Sequence, residues 1–170
     1  MRKWLKHKYY FVLLAILILV AFVYRESFTS RFFQDDKLLL GLSKSANIFA
    51  PIANFPYRPI AIGMFYSLGR LLFGTNVLGY HILDFMFFGV TLFALFVLAN
   101  KILRDAQKSL VAVFFYALNI SLFANFYWVA TSYFSLGVFF FLMAAIFYLQ
   151  KGKWSLIGLY IFAVLAIGTN

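Results

Sequence analysis

Residues 9–24 form a run without a charged residue or a helix breaker, and four further apolar segments follow at about 79–99, 110–124, 134–149 and 155–168. Segments of this length and character bury well in a bilayer and poorly in a water-soluble core. Composition agrees, with 65% hydrophobic and 12% charged residues where soluble proteins average roughly a quarter charged. The expected fold class is therefore all-α and integral to a membrane: about five transmembrane helices, plus one or two interfacial helices in a long first loop over residues 25–78.

The run 9–24 is short of the ~20 residues a span needs. Trp4 before it and the Tyr9–Tyr10 pair at its start can extend it into the interface. Arg2, Lys3, Lys6 and Lys8 precede it as in a signal peptide, but Tyr24-Arg25-Glu26 follows in place of a small-residue cleavage site, so an uncleaved anchor is expected.

The formal net charge of +10 would point to nucleic acid in a soluble chain, yet here the basic residues lie between apolar segments, which excludes a basic binding face. Nine of them, Arg2, Lys3, Lys6, Lys8, Lys101, Arg104, Lys108, Lys151 and Lys153, sit in short stretches, and the link 125–133 has none. By the positive-inside rule those stretches and the amino terminus face the cytoplasm. The long first loop then faces outward, although it carries Arg25, Arg31, Lys37, Lys44, Arg58 and Arg70. The expected location is the plasma membrane of a prokaryote, with multiple passes.

Cysteine is absent, and His7 and His81 are too few for a histidine metal site. There is no Gly-rich phosphate loop, HExxH or GxSxG. Asn119-Ile120-Ser121 matches a glycosylation sequon but lies inside an apolar segment, and the aromatic link 125–133 reads as interfacial belt. The chain stops at Ile167-Gly168-Thr169-Asn170 directly after an apolar run, so residues 1–170 are expected to be the amino-terminal part of a longer polytopic domain.

Three places carry candidate chemistry. Asp35 and Asp36 open a short helix expected from Lys37 to Ser45; a carboxylate there serves as general base, or equally as an N-terminal cap. Adjacent residues point in different directions, so one Asp would react while the other orients a helix. In Phe55-Pro56-Tyr57-Arg58-Pro59, Arg58 is fixed at the start of a second helix, over 59–73, placed along the membrane surface. A guanidinium there suits a phosphate oxygen, or snorkels to lipid headgroups. His81 and Asp84 share a face near the outer end of the second membrane helix, as a functional pair or as a hydrogen bond locking helices.

An inside amino terminus, one helix, an outer loop opening with Asp35-Asp36, then Tyr57-Arg58-Pro59 and Gly79-Tyr80-His81 resembles the C-type membrane glycosyltransferases. The likeness is to protein O-mannosyltransferases and their bacterial relatives, including the tetratricopeptide-containing branch, over residues 28–150. The resemblance implies a glycosyltransferase that moves a sugar from a polyprenyl-phosphate carrier to a hydroxyl of a protein, lipid or glycan acceptor outside the cytoplasm. It makes Asp35 the base, with Asp36 its catalytic neighbour, and puts Tyr57, Arg58, His81 and Asp84 on the substrate side. A divalent cation is compatible and not required, and nucleic acid is no partner. The chain departs from relatives in having Asp84 where Asn is common and Phe88 where a second His can follow. The alternative is a non-enzymatic small membrane protein, such as a lipid-carrier flippase or an assembly subunit.

Overall fold

A computed structural model describes residues 2–43, 57–150 and 152–169. Lys44, Ser45, Pro51, Phe55, Pro56, Lys151 and Asn170 lie outside the described residues, as do the side chains of residues 2–7. Among the described residues the chain is helical, without strands.

Helix α1 (Arg2–Val23) lacks Gly and Pro, and its buried positions Leu13, Ile16 and Val20, with Tyr24 just past its end, recur at helical spacing. That stripe packs on Phe85, Phe88, Leu92, Phe96, Val113 and Ala117 of the next two long helices. The helix gives way to a 3₁₀ turn over Arg25–Thr29, and an extended stretch leads to α2 (Gln34–Leu42). The short helix expected from Lys37 thus begins one turn earlier, with both aspartates inside its first turn. Acidic side chains are favoured there because they meet the free N–H groups of the helix start.

Further along, Pro59 opens a π-helical turn (Pro59–Met64) that runs into α3 (Phe65–Phe73). A proline in the first turn costs nothing, since its missing N–H would be unpaired anyway. Helices α3 and α4 (Val77–Leu103) form a tight hairpin. Gly69 of α3 leaves room for the Tyr80 ring, and Gly79 of α4 leaves room for the Phe73 ring; a Cβ at either glycine would overlap the facing ring. Where apolar burial distinguishes protein from lipid only weakly, such close approach is a main source of helix–helix affinity.

With 27 residues, α4 is about 40 Å long and can cross a bilayer. The Asn76 side chain caps its start by accepting the Leu78 N–H at 3.1 Å. It ends at Arg104 in the left-handed region (φ 53°), after which Asp105 caps α5 (Ala106–Ala117) by accepting the N–H groups of Gln107 and Lys108. The segment expected as one helix over 110–124 is instead broken: α5 stops at Ala117, a 3₁₀ turn follows, and α6 (Phe123–Tyr127) leaves at 51°. Asn119 causes the break, because its side chain takes the Ser121 N–H and so starts a new helix. Helices α7 (Tyr133–Tyr148) and α8 (Lys153–Ile167) form a second hairpin, with Gly152 at φ 139° in the turn and Gly158 against the Phe147 ring.

Among the described residues two helical stretches, Val77–Leu103 and Val129–Tyr148, are long and apolar enough to cross a membrane, and a third counts if the bent α5–α6 pair is one span. That is fewer than the five spans expected. The runs Lys8–Val23 and Lys153–Ile167 are apolar but shorter than the ~20 residues a span needs.

Helix contacts sort the chain by end. Ser30 bonds His81, Asp36 bonds Ala130, and Ile60 bonds Gly168, which gathers the ends of α1, α6 and α8 and the starts of α4 and α7. The α4–α5 and α7–α8 turns, with Lys101, Arg104, Lys108 and Lys153, lie at the opposite end, as alternating helix directions require.

Candidate functional site

Asp36 is fully buried and accepts three hydrogen bonds. Its Oδ2 takes the Phe33 N–H at 2.8 Å, the back-bond an acidic residue makes at the third position of a helix. Its Oδ1 takes the Tyr66 hydroxyl at 2.8 Å and the Ala130 N–H at 2.6 Å. One carboxylate thus ties α2 to α3 and to the turn before α7. Burial pushes the Asp36 carboxyl above the ordinary aspartate range, and the three donors oppose that push by favouring the ionised form. Burial and the facing Asp36 charge hold the Tyr66 phenol far above its ordinary range, so it stays a donor.

Asp35 points elsewhere: it is half-buried, whereas its neighbour has no exposed surface. Of the two adjacent aspartates, Asp36 is the one committed to protein donors. A further bond steadies α2 at its other end, where Arg70 Nη1 donates to the Leu40 carbonyl at 2.9 Å. Tyr66 and Arg70, four residues apart on one face of α3, therefore hold both ends of α2.

The loop before α2 lies on the start of α4. The Ser30 hydroxyl donates to the Ser27 carbonyl at 2.7 Å and also lies 2.9 Å from His81 Nε2. Two residues on, the Phe32 ring meets Tyr80 edge-on at 5.3 Å, and Tyr80 in turn meets Tyr66 at 5.9 Å. The Asp35-Asp36 and Gly79-Tyr80-His81 features, distant in sequence, are thus neighbours.

Arg58 is half-buried and caps the π-helical turn, with the Ile62 N–H donating to its carbonyl at 2.8 Å. The next residue but one, Ile60, donates its N–H to the Gly168 carbonyl at 3.2 Å, so the corner rests on the end of α8. Tyr57 is exposed beside it.

Asp84 is fully buried, and neither carboxyl oxygen has a hydrogen-bond partner among the described residues. The bond to His81 that would lock helices is not formed, and His81 Nε2 lies on Ser30 instead. Two turns along the same helix, the Thr91 hydroxyl reaches the Ser135 carbonyl, and Asn125 donates to the Ser135 hydroxyl. Asp84 therefore stands between two bonded polar groups and belongs to neither. A lone buried carboxyl is costly in an apolar bundle, so its presence calls for a role.

Tyr66, Ser30, Asn125, Ser135 and the Ala130 N–H escaped sequence reading. Nothing in the spacing of a lone Tyr in an apolar helix marks it as a carboxylate donor. No group of three or more His, Cys, Asp or Glu capable of holding a metal occurs among the described residues. Comparison with known proteins finds no matching family model, no similar curated protein and no similar solved structure.

Proposed function

We propose that this chain is part of an integral-membrane glycosyltransferase that moves a sugar from a polyprenyl-phosphate carrier to an acceptor hydroxyl on the extracytoplasmic side. Its membrane part would use α1, α4, the bent α5–α6 pair, α7 and α8 as five spans, with the amino terminus in the cytoplasm. The observation that carries the reading is the pairing of a fixed and a free aspartate beside the start of α4. Asp36 is consumed by Phe33, Tyr66 and Ala130, which leaves the half-buried Asp35 as the acid available for chemistry.

In this mechanism Asp35 takes the proton of the acceptor hydroxyl as its oxygen attacks the anomeric carbon, and the bond from that carbon to the carrier phosphate breaks. Arg58, at the start of its helical turn, faces the departing phosphate charge. Tyr57, His81 and Asp84 line the substrate side, with His81 oriented by Ser30.

The test is transfer from a radiolabelled polyprenyl-phosphate sugar in membranes carrying the protein. Asp35→Asn abolishes transfer while the amount of protein in the membrane stays the same. Undiminished transfer by that variant sinks the reading.

A further inference from the structure

We infer that Asp84 and Asn125 hold a monovalent metal cation, sodium or potassium, in the seam where α4 meets α6 and α7. The inference is independent of any transfer reaction and rests on three buried oxygen atoms with nothing to bond.

Two of them are the Asp84 carboxyl oxygens and the third is Asn125 Oδ1. None has a hydrogen-bond partner among the described residues, and the two residues are only 1% and 3% exposed. The contacts around them place them in one seam. Thr91 follows Asp84 by seven residues and so shares its face of α4. The Thr91 hydroxyl reaches the Ser135 carbonyl of α7 at 3.2 Å, and the Asn125 side-chain nitrogen donates to the Ser135 hydroxyl. Phe126, the neighbour of Asn125, stacks on Phe85 at 4.6 Å and meets Phe88 edge-on at 4.9 Å. Asn125 therefore lies alongside the turns of α4 that carry Asp84.

This seam offers lone pairs and few protons. Thr91 and Thr131 both spend their hydroxyl protons on backbone carbonyls, and Asn125 spends an N–H on Ser135. The buried Trp128 indole N–H is also unpartnered, yet a neutral donor leaves a carboxylate charge unbalanced. No Lys or Arg balances it, since the only ion pair among the described residues joins Lys108 to Asp105. An uncompensated charge in an apolar bundle is expensive. A proton on Asp84 would remove the charge but join at most two of the three oxygens. A metal cation removes the charge and takes all three as ligands at once, as hard cations do with oxygen. One carboxylate and one neutral amide cancel a single positive charge, so a doubly charged ion would leave an excess in the bundle.

The experiment is thermal unfolding of the whole chain in detergent, at one ionic strength, in sodium, potassium or choline chloride. Sodium or potassium raises the melting temperature over choline by about 3–6 °C when the ion is at ten times its dissociation constant, and the rise saturates. Asp84→Ala and Asp84→Asn abolish the rise, and Asn125→Ala moves its midpoint to an ion concentration about tenfold higher. In choline, where the carboxyl is bare, Asp84→Ala melts above wild type. Asp84→Asn keeps the size of the side chain, so the comparison holds even if Asp84→Ala packs differently. Equal melting temperatures of wild type in the three salts overturn the inference, as does a rise that persists in Asp84→Asn. A rise in magnesium chloride alone puts a double charge in the seam and overturns it too. Asp35→Asn keeps the rise, so a failed transfer assay and a failed cation assay are separable.

Discussion

The Tyr66 hydroxyl donates to Asp36 Oδ1 at 2.8 Å across 30 residues of sequence, and both groups are buried. Tyr66→Phe removes one charge-assisted bond and leaves Asp36 two others. The expected loss is about 1.5–3 kcal/mol of unfolding free energy. Asp36→Ala is worse, because it strands the Tyr66 hydroxyl and two backbone N–H groups, and about 3 kcal/mol or more is lost. Chemical unfolding of the single and double variants measures the coupling; additive losses would mean that the two residues act independently.

The same carboxyl sets a pH dependence. Burial, the largest influence on Asp36, raises its folded value above the unfolded one near 4, against the three donors. The folded state then keeps the proton to a higher pH than the unfolded chain. This contribution to stability is full below the unfolded value and fades as pH rises through the folded one. Asp36→Asn cannot titrate at this position. Melting temperatures from pH 4 to 7 should show the difference, wild type minus Asp36→Asn, falling as pH rises. A difference that grows with pH would mean that the three donors outweigh burial.

Gly69 and Gly79 have no space for a methyl group, since the Tyr80 and Phe73 rings occupy it. Gly69→Ala is expected to cost about 1–3 kcal/mol through forced movement of the Tyr80 ring, whose hydroxyl also holds the Gly74 carbonyl at 3.0 Å. Gly41→Ala in α2, where a Cβ meets nothing within 4 Å, is the control and should be neutral or slightly stabilising. Thermal melting in one detergent compares them.

Asp84 lacks any partner for its buried carboxyl among the described residues. Removing it by Asp84→Ala relieves that cost and raises unfolding free energy by about 1 kcal/mol, whereas Asp84→Asn keeps a buried polar group and gains nothing. Under the proposed function, transfer activity falls in the same Asp84→Ala protein. Increased stability with unimpaired activity would leave the carboxyl without a function.

Charge-free runs suffice to read α1, α4, α7 and α8 from the sequence, because that signal is local. Pro59 at a helical start is legible for the same reason. The break after Ala117 is hidden because hydropathy continues through it while Asn119 redirects the backbone. The pairing of Asp36 with Ala130 is out of reach altogether, since a backbone N–H carries no side-chain signature. Asp35 and Asp36 look alike as adjacent letters, and only tertiary packing separates the buried one from the half-exposed one.

Helix α2 is pinned at two points, by Tyr66 near its start and by Arg70 at the Leu40 carbonyl near its end. A rod fixed at both ends can neither swivel nor slide, so the angle at which Asp35 leaves α2 is set by α3 before any molecule arrives. In the proposed transfer reaction an incoming hydroxyl group comes to the acid, and the acid does not reach for it. Orientation achieved during folding is not charged again at each encounter. Loosening either pin should therefore blur the direction of Asp35 without touching the residue itself.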